Sequence, residues 1–445
     1  MGILYSITIT VAALLAAPYY LVRDSLRHVP TGYWRERLGL LPKSLAEPSG
    51  NGTIWVHAVS VGETLAVAGL VGEVIRRFAG RPLYLSHVTP TGRAVGESRL
   101  PGVTGRFYLP LDWRWAARRV FARLRPRLLI VAETEIWPNL LSVALETGTR
   151  VVLVNARLSE RSFRGYRRFG FFFRRALGCI DTVFAQTERD ADRFCRLGVP
   201  AQRVSVAGNL KFDARPPLLG ELPRSARRAL EQAGRGPVLV AGSTMAGEEA
   251  LLLRAWDQIR ERFPTALLIL APRHPQRFDE VAELLSNRGG RFVRRTGLDP
   301  LDPGARFADA EIVLLDTIGE LAGVFDLADV AFVGGSLVPT GGHNMLEPAF
   351  WAKPVLFGPH VHHFRDIAEQ FVLAGAAIQV KNPDELADRT SALFADTRLR
   401  EAMGSRGKQL LDGGAGATER IVDHLAAWLE EERAFETAAL EGLPS

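Results

Sequence analysis

Ile54-Trp55-Val56-His57-Ala58-Val59-Ser60-Val61-Gly62-Glu63 is the stretch on which the reading of the fold turns. Its first residues are β-branched or aromatic and read as a strand, and the apolar pattern from Leu65 to Ile75 repeats with helical spacing. Strand passing directly into helix is half of a βαβ unit. In an open α/β sheet, ligands bind in the crevice beyond the carboxyl ends of the strands, so Glu63 is placed toward a substrate site. Two later turns have the same form. Leu128-Leu129-Ile130-Val131-Ala132 runs into Glu133-Thr134-Glu135-Ile136-Trp137-Pro138-Asn139. Ala331-Phe332-Val333 runs into Gly334-Gly335-Ser336, followed by Gly341-Gly342-His343-Asn344-Met345-Leu346-Glu347-Pro348.

Outward from these turns the rhythm repeats. Short apolar runs at residues 54–56, 83–86, 128–132, 151–155, 182–185 and 204–207 alternate with helical patterns, which predicts a parallel sheet. Asp213-Ala214-Arg215-Pro216-Pro217 interrupts it, and runs resume at residues 237–241, 266–271, 290–293, 311–315, 330–333 and 354–356. A chain of 445 residues exceeds one core of usual size. The expectation is an α/β protein with two doubly wound, Rossmann-like domains facing across a cleft. Residues 24–212 form the first, 213–236 a linker and 237–445 the second, whose last amphipathic stretch, residues 419–434, is able to cross back to the first.

Residues 3–22 carry no charge, and about 20 such residues at 1.5 Å each span a hydrocarbon core of roughly 30 Å. No basic segment precedes them, unlike a cleaved signal peptide, and Arg23, Arg27, Arg35 and Arg37 follow. Residues 1–23 are therefore expected to anchor the protein, and the positive-inside rule leaves the remainder in the cytoplasm. Ser6, Thr8 and Thr10 keep an interfacial helix open as the other reading. Cys179 and Cys195 show no metal-ligand spacing and indicate a reduced compartment. The formal charge of +6 is mostly arginine spread along the chain, which argues against a nucleic-acid partner and for membrane lipid and phosphorylated substrates. Arginines from Arg157 to Arg175 interleave with Phe163, Tyr166, Phe169, Phe171, Phe172 and Phe173, a composition that, next to the expected anchor, is read as an anionic membrane interface, with a buried aromatic core and solvated arginines as the competing view.

Each polar motif has a bland reading beside a chemical one. Ser60-Val61-Gly62-Glu63 fits a capping box, and a carboxylate at the same turn is equally able to take a proton from an acceptor hydroxyl. Glu133 and Glu135, two apart at a strand end, are able to point to one side. Lys211 is the sole lysine between Lys43 and Lys353, a compact point charge where the chain elsewhere uses arginine. Arg273, in Pro272-Arg273-His274-Pro275, is suited to bidentate contact with phosphate, and the Gly-Gly-His-Asn loop to aiming amides at an anion. Asp190-Ala191-Asp192 mimics a metal-binding triplet, but on a helix its two carboxylates do not share a face, so no essential metal is expected.

These motifs, with Gly208-Asn209-Leu210-Lys211-Phe212-Asp213 and Asp316-Thr317-Ile318-Gly319-Glu320-Leu321, resemble in order the transferases of Kdo, 3-deoxy-D-manno-octulosonic acid, in lipopolysaccharide core synthesis. The resemblance covers almost the whole chain. It implies a GT-B fold and an inverting glycosyltransferase of the inner membrane, moving Kdo from CMP-Kdo to a phosphorylated lipid A precursor without a cofactor. It makes Glu63 the general base, Glu133 a support for the transition state and Lys211 a partner for the developing phosphate charge. Donor binding falls to Pro272, Arg273, Ile318, Gly319, Glu320, Asn344, Met345, Leu346 and Glu347, the last toward the ribose diol. Two positions depart from the family pattern: Met245 where it has His, and Met345 where it has Pro. A transferase using a UDP-sugar and a non-catalytic nucleotide-sugar-binding membrane protein are the alternatives.

Overall fold

The structure, a computed structural model, describes residues 5–11, 15, 32–43, 45, 52–213, 219–299, 302 and 305–441, with the side chains of 171, 172, 305 and 430–441 excepted. The chain forms two compact units, Met1–Ala214 with Gly414–Ser445, and Arg215–Gly413. The first holds β1 (Thr53–His57), β2 (Leu83–His87), β3 (Gly105–Tyr108), β4 (Pro126–Ala132), β5 (Arg150–Ala156), β6 (Thr182–Ala185) and β7 (Val204–Val206). All pairings are parallel, in the order β3-β2-β1-β4-β5-β6-β7. Strands such as Leu128-Leu129-Ile130-Val131 are apolar without alternation because helices cover both faces of the sheet. The order reverses between β1 and β4, where Ile54 pairs with Leu83 on one side and Leu128 on the other.

The second unit repeats the plan. It holds β8 (Val238–Thr244), β9 (Leu267–Pro272), β10 (Phe292–Arg294), β11 (Ile312–Leu314), β12 (Val330–Val333), β13 (Val355–Phe357) and β14 (Ala377–Gln379). Their order is β10-β11-β9-β8-β12-β13-β14, again all parallel, with its central reversal between β8 and β12. At this reversal Gly334 lies so close to β8 that a Cβ would stand 2.6 Å from the Ser243 carbonyl oxygen, so no other residue fits without moving the strand.

The packing uses the crossing back allowed for the last helix and moves the expected linker into the second unit. The final helix, Ala417–Glu441, belongs to the first unit, where Ala417, Ile421, Val422 and Leu425 are buried against Val56, Ile130 and Val152. Asp213 caps it, its carboxylate accepting the Gly416 N–H at 2.6 Å and the Thr418 N–H as well. The helix Glu221–Gln232, expected in a linker, buries Leu222, Ala226 and Leu230 in the second unit. The span expected as one helix from Leu65 to Ile75 is two, Val61–Ala66 and Ala68–Arg77.

Most of the expected anchor, residues 3–22, lies outside the described residues. Among the described residues no helix is long and apolar enough to cross a membrane. Residues 5–11 are helical and touch the first unit. The Tyr5 hydroxyl donates to Asp112 Oδ2 at 2.8 Å, and Asn139 Nδ2 donates to the Ser6 hydroxyl at 3.1 Å. Buried Asp112 in turn caps the helix Pro138–Glu146, accepting the N–H groups of Asn139 at 3.1 Å and Leu140 at 2.8 Å.

Candidate active site

In the first unit the reversal of strand order brings together the turns after β1 and β4, and with them Glu63 and Glu133. Ser60 is the N-cap of Val61–Ala66, its hydroxyl accepting the Glu63 N–H at 3.4 Å. The Glu63 carboxylate folds back over this cap. Its Oε2 accepts the Val59 N–H at 2.8 Å and its Oε1 the Ser60 hydroxyl at 3.0 Å. The capping geometry read from the sequence is thus present, with the Val59 amide engaged as well. The same carboxylate is only 8% exposed. Burial pushes its pKa up to about 7; the Val59 N–H opposes the rise, and the charges of Glu133 and Glu135 add to it. A carboxylate titrating near neutrality is matched to general base work.

Glu133 leaves β4 with φ 54°, a left-handed conformation that costs a non-glycine residue roughly 1–2 kcal/mol. Its N–H donates to the Val154 carbonyl at 2.9 Å, and its Oε2 accepts from Arg157 Nε at 3.2 Å. Asn155, at the end of β5, has φ 55° and accepts the Leu210 N–H at 3.1 Å on its side-chain oxygen. That bond seats the short helix Leu210–Asp213 and so places Lys211. Lys211 is half-buried. Burial lowers its pKa, Glu133 and Glu63 pull the other way, and Arg157 lowers it further. Burial likewise raises Glu135, helped by Glu133. Glu63, Glu133 and Lys211 are therefore one electrostatic cluster, to which the structure adds Glu135 and Arg157. Arg157 had been grouped by sequence with the arginine and aromatic strip; its position one residue past β5 was the available signal.

For Phe163, Tyr166 and Phe173 the expected membrane interface is corrected, since these rings of the strip serve the core. Phe163 is 3% exposed, and Tyr166 meets Phe173 edge-on at 4.4 Å while packing against the core. Phe169 is exposed, and Phe171 and Phe172 lie outside the described side chains. Asp190 is turned inward to accept the Leu158 N–H at 2.9 Å, whereas Asp192 pairs with Arg196 at 3.4 Å.

In the second unit Pro272 ends β9 and is buried, while the Arg273 side chain is exposed and its N–H donates to the Thr244 carbonyl at 2.9 Å. Burial lowers the His343 pKa to about 4, and the charges of Arg273, His274 and His363 lower it further, so these groups share one field. Ile318 is exposed, Gly319 has φ +94°, and Glu320 is held by Arg295 at 3.0 Å. Asn344 donates to Glu347 Oε1 at 3.3 Å and accepts the Leu346 N–H at 3.2 Å. The Met345 and Leu346 side chains are buried and serve packing. The Gly342 N–H donates to the Gly335 carbonyl and that of Leu346 to Asn344, so these two amides of the loop are already engaged.

Sequence reading missed Glu248, which is fully buried behind that loop. Its carboxylate accepts N–H bonds from Gly335 at 2.6 Å, Ser336 at 3.0 Å, Leu337 at 2.8 Å and Met245 at 3.1 Å. It thereby fixes the turns after both β8 and β12.

Comparison with known proteins places this geometry in context. The profile of the family described as 3-Deoxy-D-manno-octulosonic-acid transferase (kdotransferase) matches residues 32–214. A 3-deoxy-D-manno-octulosonic acid transferase of Bordetella pertussis is 38% identical over 396 residues, 87% of this chain and 89% of that protein. One of Haemophilus influenzae is 32% identical over 424 residues, 94% of this chain and 97% of that protein. The solved UDP-GlcNAc 2-epimerase of Neisseria meningitidis, bound to UDP-GlcNAc, aligns with a TM-score of 0.53 over 84% of this chain and 100% of that one. At 14% identity, that likeness concerns the fold alone.

Proposed function

The chain belongs to the 3-deoxy-D-manno-octulosonic acid transferase family, and from that premise we propose how its residues divide the work. It is a glycosyltransferase that transfers Kdo in lipopolysaccharide biosynthesis. The donor assigned here is CMP-Kdo and the acceptor a phosphorylated lipid A precursor. Glu63 takes the proton from the acceptor hydroxyl while that oxygen bonds to the anomeric carbon of Kdo. The bond from that carbon to the CMP phosphate breaks on the opposite face, so the configuration inverts. Lys211 offsets the negative charge that develops on the departing phosphate, and Glu133, paired with Arg157, orders the field around the base. The second unit is assigned the donor, with Arg273 toward its phosphate and Glu347 toward its ribose.

One observation carries this reading: Glu63 is a buried carboxylate held at the strand-order reversal, with its pKa raised to about 7. The acceptor is a membrane lipid, so we assign the protein to the cytoplasmic face of the inner membrane, a placement supported by the uncharged run at residues 3–22. The test is incubation of purified protein with CMP-Kdo and a tetraacylated, bisphosphorylated lipid A precursor, followed by mass analysis. A product heavier by one or more Kdo units supports the assignment. Transfer from a UDP-sugar instead, or CMP-Kdo binding without any product, overturns it.

A further inference from the structure

The strands β5 and β6 lead into the helices Glu160–Arg168 and Glu188–Arg196, which together line a cavity of about 240 Å³. Arg164 and Arg167 line it from the first helix; Arg189, Arg193 and Arg196 line it from the second. The carboxylates in its wall are Glu160 and Asp192, so five guanidiniums face two negative charges. Glu160 alone meets Arg193 at 2.7 Å, Arg164 at 3.1 Å and Arg189 at 3.8 Å. Asp192 meets Arg196 at 3.4 Å, and among the described residues no carboxylate stands within 4 Å of Arg167.

The floor is the Phe163 ring, with the guanidiniums of Arg196 and Arg167 over it at 5.0 and 5.8 Å. Arg193 is fixed further by donating to the Leu158 carbonyl. Tying the two helices together needs only the Arg193 to Glu160 pair. The remaining guanidiniums repel one another, a cost that a bound anion offsets. A ligand site for a whole drug-sized molecule runs to roughly 300–1,000 Å³, so this smaller cavity suits a charged headgroup.

We propose that this pocket binds a phosphate monoester, held by Arg167, Arg189 and Arg196 around the fixed Arg193. Guanidiniums match phosphate oxygens in paired hydrogen bonds, and several are needed to satisfy a dianion. The pocket lies at the same end of the sheet as the catalytic cluster, since Arg157, three residues before Glu160, pairs with Glu133. A phosphate on the acceptor, away from its reacting hydroxyl, is the first source, an assignment that rests on the transfer reading; free phosphate is the second.

Calorimetric titration of the full chain with inorganic phosphate, against chloride at equal ionic strength, tests the site without any transfer. The double variant Arg167→Gln/Arg189→Gln should bind phosphate at least roughly tenfold more weakly. Glu160→Gln removes the competing carboxylate and should bind it more tightly, which decides the matter should the double variant fail to fold. Phosphate bound no better than chloride, or equally by parent and variants, overturns the site. The source is read from KM with the bisphosphorylated precursor and with its dephosphorylated form. A rise confined to the phosphorylated acceptor assigns the pocket to that acceptor. Weakened phosphate binding with both KM values unmoved assigns it to a free anion. Because phosphate binding is measured directly, failure of the transfer reading leaves this result intact.

Discussion

At the scale of single residues, the capping and chemical readings that the sequence allows at one turn fall on one carboxylate, since Glu63 both closes the cap and sits buried in the field of Glu133 and Glu135. Activity should rise as pH passes through about 7, where Glu63 ionises. Stability runs the other way. The folded pKa is raised above the unfolded one, so the group's favourable contribution is full at pH below about 4.3 and is lost as pH rises toward 7, up to roughly 3 kcal/mol. Glu63→Gln keeps the Val59 N–H bond on its amide oxygen and turns the Ser60 contact round, its NH₂ donating to the hydroxyl, without the charge: kcat should fall by roughly a hundred- to ten-thousandfold. Its thermal midpoint should exceed the parent's at pH 8 and approach it at pH 5. A variant that keeps its rate, or loses stability at pH 8, returns Glu63 to capping alone. Lys211→Ala should lower kcat by roughly a hundred- to a thousandfold with little change in CMP-Kdo affinity, as kinetics at saturating donor would show. Glu63 and Glu133 were visible in the sequence because polar residues follow apolar strand runs, and Lys211 because it is the sole lysine between Lys43 and Lys353. Arg157 and Glu248 were not, since one resembled its arginine neighbours and the other's burial depends on a loop almost 90 residues away, Gly335 to Leu337.

At the scale of elements, two buried carboxylates hold turns that belong to distant parts of the chain. Asp112 supplies the cap that Pro138–Glu146 lacks locally, its own N-cap residue being Trp137 with no capping side-chain bond. Asp112→Ala should cost about 1–2 kcal/mol in chemical denaturation, and Asp112→Asn less, because one acceptor remains. Glu248→Gln sets an NH₂ group against backbone donors, so its buried acceptor is lost at a cost of about 1–3 kcal/mol. Donor affinity should fall with it, read by CMP titration; full retention of both would mean that the loop is held by other contacts. Most strands were legible because two-sided burial makes them continuous apolar runs. Gly105–Tyr108 and Ala377–Gln379 were missed: glycine and arginine break the first run, and the second is a three-residue edge strand with exposed Gln379. The break at Val67 in the expected helix was hidden too, since its residues keep apolar spacing through it.

At the scale of the molecule, the sequence pattern separated two sheets and allowed the last helix to cross back, and packing assigns that helix to the first unit. Deleting residues 414–445 removes Ile421, Val422 and Leu425 from a core where each buried side chain is worth roughly 1.5–3 kcal/mol. That loss is comparable with the roughly 5–15 kcal/mol that stabilises a whole domain. Limited proteolysis of the truncated chain should therefore leave residues 215–413 resistant and degrade the first unit; equal resistance of both would refute the packing argument. The same arrangement sets an order of events during synthesis. The segment through Ala214 leaves the ribosome with its cluster around Val56, Ile130 and Val152 closed on one side by Leu70, Val71 and Val74 but still lacking Ile421, Val422 and Leu425, and the second unit is translated before the helix that carries them. The unit that holds Glu63 is thus finished last, and a chain released early carries a complete second unit but an unfinished first one, so premature termination should yield a product unable to transfer sugar.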